Sequence, residues 1–324
     1  PDHAALQLDQ FTLETWFNPS TAADFPALPP ALIAKGAAGN PDYFMVPMFN
    51  TRKIAVGFYT GSTFVSTIST TDLAQNTWYH LAATFDGTSL KIYVNGVLEN
   101  TVDAGGLHPR VTTNALILGL TNTTQYVNGA LDEVRIWNVA RSCEEIRQLR
   151  NCELTGSEGG LVAYYKFNQG FANENNSGVT TLTDAATALG GANDGTLGGF
   201  TLSGATSNWI APGGVTTGTS CPASITYPEA DVLGHDNTPL ADGTTSTSVA
   251  QGTNLGSVNF GSSSAAKTFT IQNNGTTALN VTSIASSDPQ FAVTALTPAS
   301  PIPAGTPPAT FTITFTPTAT GVQN

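Results

Sequence analysis

Basic residues are scarce in this chain. Eleven Lys and Arg stand against 23 Asp and Glu in 324 residues, a formal net charge of −12. Such a surface gives no basic footprint for a nucleic-acid backbone or an anionic membrane. From residue 213 onward the single basic residue is Lys267, against five acidic ones. Charged residues of both signs make up only 10% of the chain, and runs of Leu, Lys and Glu that would favour helices are nearly absent. No run of about 18 apolar residues occurs, so no segment reads as a membrane-spanning helix. The opening residues Pro1-Asp2-His3-Ala4-Ala5-Leu6 lack the charged and apolar regions of a secretory leader. That is expected of a processed chain or of an internal piece of a longer one.

Catalytic signatures are also missing. There is no Gly-x-Ser-x-Gly elbow, no His-Glu-x-x-His and no phosphate-binding loop. The histidines His3, His80, His108 and His235 show no ligand spacing. A retaining glycosidase needs two carboxylates about 5 to 5.5 Å apart. The acidic pair on a plausible core strand is Asp132-Glu133, and neighbours along a regular strand face opposite ways. The chain is therefore expected not to be an enzyme.

What the sequence does contain is β-structure. Gly (32) and Pro (19) punctuate short alternating runs, and a hydrophobic content of 40% suffices for packed cores. Strands are expected at Phe11–Phe17, Lys53–Tyr59, Trp78–Phe85, Leu116–Gly119, Leu131–Trp137 and Leu161–Phe167. Leu90–Val94 and Val97–Glu99 flank Asn95-Gly96, the signature of a two-residue type I′ hairpin. One helix is expected after Ser142, whose partner Glu145 completes a capping box. Residues 211–222, Ala-Pro-Gly-Gly-Val-Thr-Thr-Gly-Thr-Ser-Cys-Pro, read as a linker. Beyond it, short strands at Ser257–Gly261, Lys267–Ile271, Leu279–Val281, Gln290–Val293 and Thr310–Phe315 have the spacing of an immunoglobulin-like sandwich. The expected organisation is a β-sandwich over residues 1–210, the linker, and a second sandwich over 223–324 that is incomplete at its C-terminus.

Three cysteines occur. Cys143 and Cys152 would be about 13 Å apart on a continuous helix, so a bridge between them requires the chain to turn back after Leu149. Cys143–Cys152 is the expected disulfide and Cys152–Cys221 the alternative; either implies an oxidising compartment.

The ordered motifs Phe11-Thr12-Leu13-Glu14-Thr15-Trp16, Trp78-Tyr79-His80-Leu81-Ala82, Ile92-Tyr93-Val94-Asn95-Gly96 and Gly129–Asn138 resemble the laminin-G-like, concanavalin A-like lectin/glucanase superfamily, in its bacterial secreted form. The second region, through Gly256–Gly261, Phe269–Gly275 and Phe311–Pro317, resembles Hydin-type, choice-of-anchor D immunoglobulin-like domains. These resemblances imply an all-β chain, a concanavalin-like jelly-roll sandwich followed by an immunoglobulin-like one. They also imply a secreted bacterial cell-surface protein whose partners are an extracellular glycan, a surface protein, or other copies of itself in a filament or sheath.

Candidate sites follow. Counted by two, Asp132, Val134 and Ile136 share a face, which would aim a carboxylate inward. The resemblance implies a structural calcium ion at Asp132; a cap on loop N–H groups is the alternative. Asp184, Asn193 and Asp194 could supply oxygen ligands to a second calcium ion, or form Asx turns. Tyr43, Phe44, Tyr59, Phe64 and Tyr126 lie near expected strand ends and are the candidate ligand-binding aromatics.

Overall fold

The computed structural model describes residues 3–20, 30–37, 39–48, 50–120, 126–187, 193–204, 207–222, 226–228, 230–240 and 247–318. The chain divides into two compact units, Pro1–Ala223 and Ser224–Asn324.

Unit 1 is built from β1 (Phe11–Pro19), β2 (Ile33–Ala37), β3 (Asn40–Pro47), β4 (Ile54–Tyr59), β5 (Phe64–Ile68), β6 (Tyr79–Phe85), β7 (Ser89–Val94), β8 (Val97–Asp103), β9 (Leu116–Leu118), β10 (Gly129–Trp137), α1 (Cys143–Leu149), β11 (Leu161–Tyr165), β12 (Thr181–Leu182) and β13 (Gly195–Thr196). Two antiparallel sheets, ordered β11-β10-β1-β6-β7-β8 and β5-β4-β3-β2-β9, form the sandwich. Alternation places Phe11, Leu13, Leu81, Ala83, Phe85, Ile92, Val134 and Ile136 of the first sheet against Ile33, Tyr43, Met45, Ile54, Val56 and Phe58 of the second. Phe11, Phe58 and Phe85 meet at the centre, with centroids 4.6 to 6.4 Å apart; each such buried ring contributes roughly 1.5–3 kcal/mol.

Local chemistry places two elements as expected. Asn95 (φ 53°) and Gly96 (φ 77°) take the left-handed conformation that the β7–β8 hairpin requires. At α1, Ser142 Oγ accepts from the Glu145 N–H while Glu145 Oε2 accepts from the Ser142 N–H. Ile146 of this helix packs on Ala82 and Tyr93, so α1 covers part of the outer face of the six-stranded sheet.

Unit 2 contains β14 (Ala230–Leu233), β15 (Lys267–Asn273), β16 (Phe291–Val293) and β17 (Ala309–Phe315), paired in one antiparallel sheet ordered β14-β15-β17-β16. Phe269 stacks on Phe311 and Phe291 on Phe315. Two expected strands differ: Ser257–Gly261 is irregular, and of Leu279–Val281 only Leu279 pairs, in a single bridge to Ile302. The first run is Ser, Asn and Gly around two apolar residues, too little to hold a paired strand.

The linker expectation is corrected. Residues 211–222 belong to unit 1, and the segment 213–221 straps across its six-stranded sheet. Gly214 lies so close to Trp16 that a Cβ there would sit 2.4 Å from the Trp16 Cβ, and Val215 is buried. Ser220 pairs in parallel with Glu153, and Glu153 Oε1 accepts from the Gly218 N–H at 2.7 Å. The Gly- and Thr-rich composition that suggested flexibility instead permits this close approach.

Candidate ligand-binding face and the buried charge network

The outer face of the five-stranded sheet brings three of the five candidate aromatics together. On β3 the core takes Tyr43 and Met45, leaving Asp42, Phe44 and Val46 on the opposite side. Pairing sets Tyr59 opposite Phe64, and Phe44 opposite Gly57. The Tyr59 and Phe64 rings lie 4.8 Å apart, and Phe44 meets Phe64 edge-on at 6.1 Å. Phe64 remains 46% exposed.

A polar set borders these rings. The Arg110 guanidinium lies 5.0 Å over Tyr59, donates from Nε to Asp42 Oδ1 at 2.9 Å, and donates through Nη2 to the Asn40 carbonyl. Asp42 Oδ2 accepts from the Thr112 hydroxyl at 2.6 Å and lies 3.8 Å from Lys35 Nζ. Tyr59 Oη donates to the Gly61 carbonyl in the β4–β5 turn. The result is an exposed ring whose neighbours are locked by a carboxylate–guanidinium pair, an arrangement suited to stacking against an apolar face.

Tyr43 is corrected. Its ring is fully buried, tilted against Phe11, and its hydroxyl donates to the Leu6 carbonyl. The single-residue step from Phe44 sends it to the other side of the sheet. Tyr126 lies apart from the cluster, bridged to Leu120 with Gly199 against its ring.

The metal candidates are capped by N–H donors. Asp184 Oδ1 accepts from the N–H groups of Tyr164 and Ala186, and Oδ2 from the N–H and Nδ2 of Asn193. Asp194 Oδ1 accepts from the Asp184 N–H. Asp132 Oδ2 accepts from the Val215 N–H at 3.1 Å. A hard cation needs converging oxygens. Among the described residues no three His, Cys, Asp or Glu converge.

Asp132 also sits on a different side from the one expected. Between Glu14 and Trp16 on β1, β10 advances from Arg135 to Asp132, one residue too many: a β-bulge, with Glu133 at φ 51°. The extra residue reverses the alternation, so Asp132 pairs with Trp16 rather than following Val134 and Ile136 into the core. The bulge undoes the opposite-faces argument for Asp132 and Glu133, since both now lie under the covering segments. They are closed over at 6% and 2% exposure.

Beneath that cover lies a charge network that the sequence did not announce. Arg135 donates from Nη2 to Glu133 Oε2 at 2.6 Å, from Nη1 to the Leu149 carbonyl at 2.8 Å, and to the Cys152 carbonyl. Tyr164 Oη donates to the same Glu133 oxygen at 2.5 Å. Trp137 Nε1 donates to Glu14 Oε1, and His80 Nε2 lies 3.2 Å from Glu14 Oε2. Burial opposes ionisation of Glu14, yet His80, Arg135 and Arg141 hold its carboxyl below the usual range. Burial pushes His80 down, which keeps it neutral beside Trp16. Burial likewise raises Glu133 against the pull of Arg135. The outward positions of β1, β6, β10 and β11 supply these groups apart from Arg141, which lies between β10 and α1; polar residues at those positions ordinarily signal solvent, so nothing in the pattern marked them as buried.

Burial, aided by the Glu133 charge and opposed by the Val215 N–H, pushes Asp132 up to about 7. The folded state keeps this proton to near pH 7, whereas an unfolded aspartate releases it near pH 4. The native state thus binds more protons in between, and this group's contribution to stability falls as pH rises through that window. Asp132→Asn is expected to flatten the decline by on the order of 1–3 kcal/mol between pH 5 and 8. Denaturant midpoints at the two pH values provide the check, and parallel slopes in both proteins would refute it.

The structure joins Cys152 to Cys221, correcting the expected Cys143–Cys152 bridge. α1 turns Cys143 outward toward the β7–β8 turn, where its Sγ meets the Gly96 carbonyl, while the chain beyond Leu149 carries Cys152 under the strap.

Residues 1–147 match the family described as the concanavalin A-like lectin/glucanases superfamily. The chain is 28% identical to pappalysin-1 of Mus musculus over 155 residues, covering 44% of this chain and 10% of the relative. It is 34% identical to pappalysin-1 of Homo sapiens over 88 residues, covering 26% and 5%. The chain therefore spans a tenth or less of these curated relatives. Among solved structures, a Bacteroides ovatus protein provisionally described as carbohydrate binding aligns at 21% identity and TM-score 0.45, covering 61% of this chain and 56% of that one. Domain 4 of an extracellular arabinanase from Geobacillus stearothermophilus, in complex with arabinotriose, aligns at 19% identity and TM-score 0.38, covering 45% and 68%.

Proposed function

We propose that unit 1 is a non-catalytic carbohydrate-binding module of a secreted surface protein, taking a sugar ring against Phe64 and Tyr59 on the outer face of the five-stranded sheet. The observation that carries this reading is the exposed Phe64 ring set beside Tyr59, with Arg110 and Asp42 fixing the partner ring. The lectin/glucanase family match over residues 1–147 supports it. Arg110 is already engaged by Asp42 and Lys35 is buried, which suits hydroxyl-rich, neutral sugars over strongly anionic ones. The disulfide fits an oxidising, extracellular setting. Unit 2, a four-stranded antiparallel sheet, serves in this reading as an immunoglobulin-like spacer.

The full chain is expected to bind a subset of neutral oligosaccharides on a glycan array. Tyr59→Ala combined with Phe64→Ala is expected to weaken that binding roughly 5- to 30-fold, since a lost ring stack costs about 1–2 kcal/mol. The double variant should retain the wild-type melting temperature within a few degrees. An array without hits, or hits that survive the double substitution, would overturn the proposal and favour a protein ligand or a structural role.

A further inference from the structure

Tension reaching unit 1 from unit 2 enters at its C-terminal boundary, residue 223. The first covalently fixed point it meets is Cys221, bonded to Cys152 across a sequence separation of 69. We infer that this bridge is a tension clamp: it passes pulling force directly to residue 152 and takes residues 153–220 off the load path.

Beyond β11, the bypassed segment is poor in regular structure among its described residues. It contains β11, an edge strand that pairs with β10 alone, and the two-residue strands β12 and β13; its other described residues are loop. β11 itself is held by its ladder to β10, by burial of all five of its residues and by Tyr164 Oη on Glu133. Beyond β11 the fastenings are spread along the chain, among them the Val215 N–H on Asp132, the Glu153 contacts with 218–221, Trp209 in the core, and the donors on Asp184. Pulled from its C-terminal end, such a segment breaks one fastening at a time, and each is a small local opening.

Residue 152 is held differently. Arg135 donates to the carbonyls of both Leu149 and Cys152, is itself paired with Glu133, and stands on β10 between β1 and β11. Force arriving at Cys152 is therefore borne by the buried network and the interior of the six-stranded sheet. This gives the network a mechanical role: it fastens the residue onto which the load is delivered.

The test is a force-extension measurement on the full chain, tethered at both ends in a Cys143→Ser background so that the paired thiols alone remain. Oxidised, unit 1 is expected to open in one main transition with residues 153–220 unextended. After reductant is added to the same tether, a separate step is expected at lower force, about 25 nm long at roughly 3.6 Å per residue. Cys221→Ser should show that early step without reductant. The inference is overturned if the reduced chain shows no earlier step, whether because unit 1 opens at the oxidised force or because it gives no folded transition.

Discussion

Arg135→Met is expected to lower the stability of unit 1 by about 3–5 kcal/mol, the cost typical of breaking a buried ion pair from one side. The substitution keeps much of the side-chain volume, so the loss is electrostatic. Glu133, at 2% exposure, would retain the Tyr164 hydroxyl but lose its cation, and Glu14 would lose one of the positive charges that keep it ionised. The carbonyls of Leu149 and Cys152 would lose their donor as well. Two features separate this from ordinary core damage. The stranded Glu133 would take up a proton more readily, so the variant's deficit should shrink as pH falls. Adding Glu133→Gln should restore more than half of the lost stability, because it removes the uncompensated charge. Urea unfolding of the single and double variants supplies the check. A loss below about 1 kcal/mol, or no recovery in the double variant, would show that the network contributes little.

Opening the Cys152–Cys221 bridge should have the second largest effect. Closing a loop of this length restricts the unfolded chain, and the chain-entropy relation gives about 4 kcal/mol as its ceiling for a separation of 69. Cys221→Ser is expected to cost roughly 2–4 kcal/mol. It should also make the exposed stretch 216–220 a site of proteolytic nicking, since the strap would then rest on Gly214 against Trp16, the Asp132 hydrogen bond and the Glu153 pairing. Melting with and without reductant, together with mapped proteolytic fragments, measures both. Unchanged melting and protection under reduction would mean that the noncovalent contacts suffice.

The two effects are linked in space. Arg135 holds the carbonyl of the residue that carries one sulfur, and Asp132, three positions earlier, holds the strap that carries the other. Their free energies should therefore fall short of additivity in the combined variant. The proposed ligand face lies on the other sheet, across the core, and none of these changes touches Tyr59, Phe64 or Arg110.

Local residue chemistry determined a large part of this protein from the sequence. Alternation in Phe11–Phe17 and Trp78–Phe85, the Asn95-Gly96 turn and the Ser142–Glu145 capping box each concern residues within a few positions of one another, where backbone preferences and side-chain periodicity decide the outcome. The all-β class followed from such runs, whereas the meeting of Phe44, Tyr59 and Phe64 needed the pairing of β3, β4 and β5. Tertiary structure decided the rest, where one residue's partner lies far away in sequence. A single extra residue at Glu133 reversed the facing of Asp132, and strand parity cannot foresee a bulge. Tyr43 and Phe44 were equally aromatic, and the pairing of β3 alone chose which one faces outward. The Gly- and Thr-rich run after Ala211 had the composition of a linker, yet Trp16, almost 200 residues earlier, gave it a surface to lie on. Glu14, His80, Glu133 and Arg135 occupied positions that a two-layer sandwich leaves to water. They became a buried network because a short helix, a disulfide and a strap added a third layer over them.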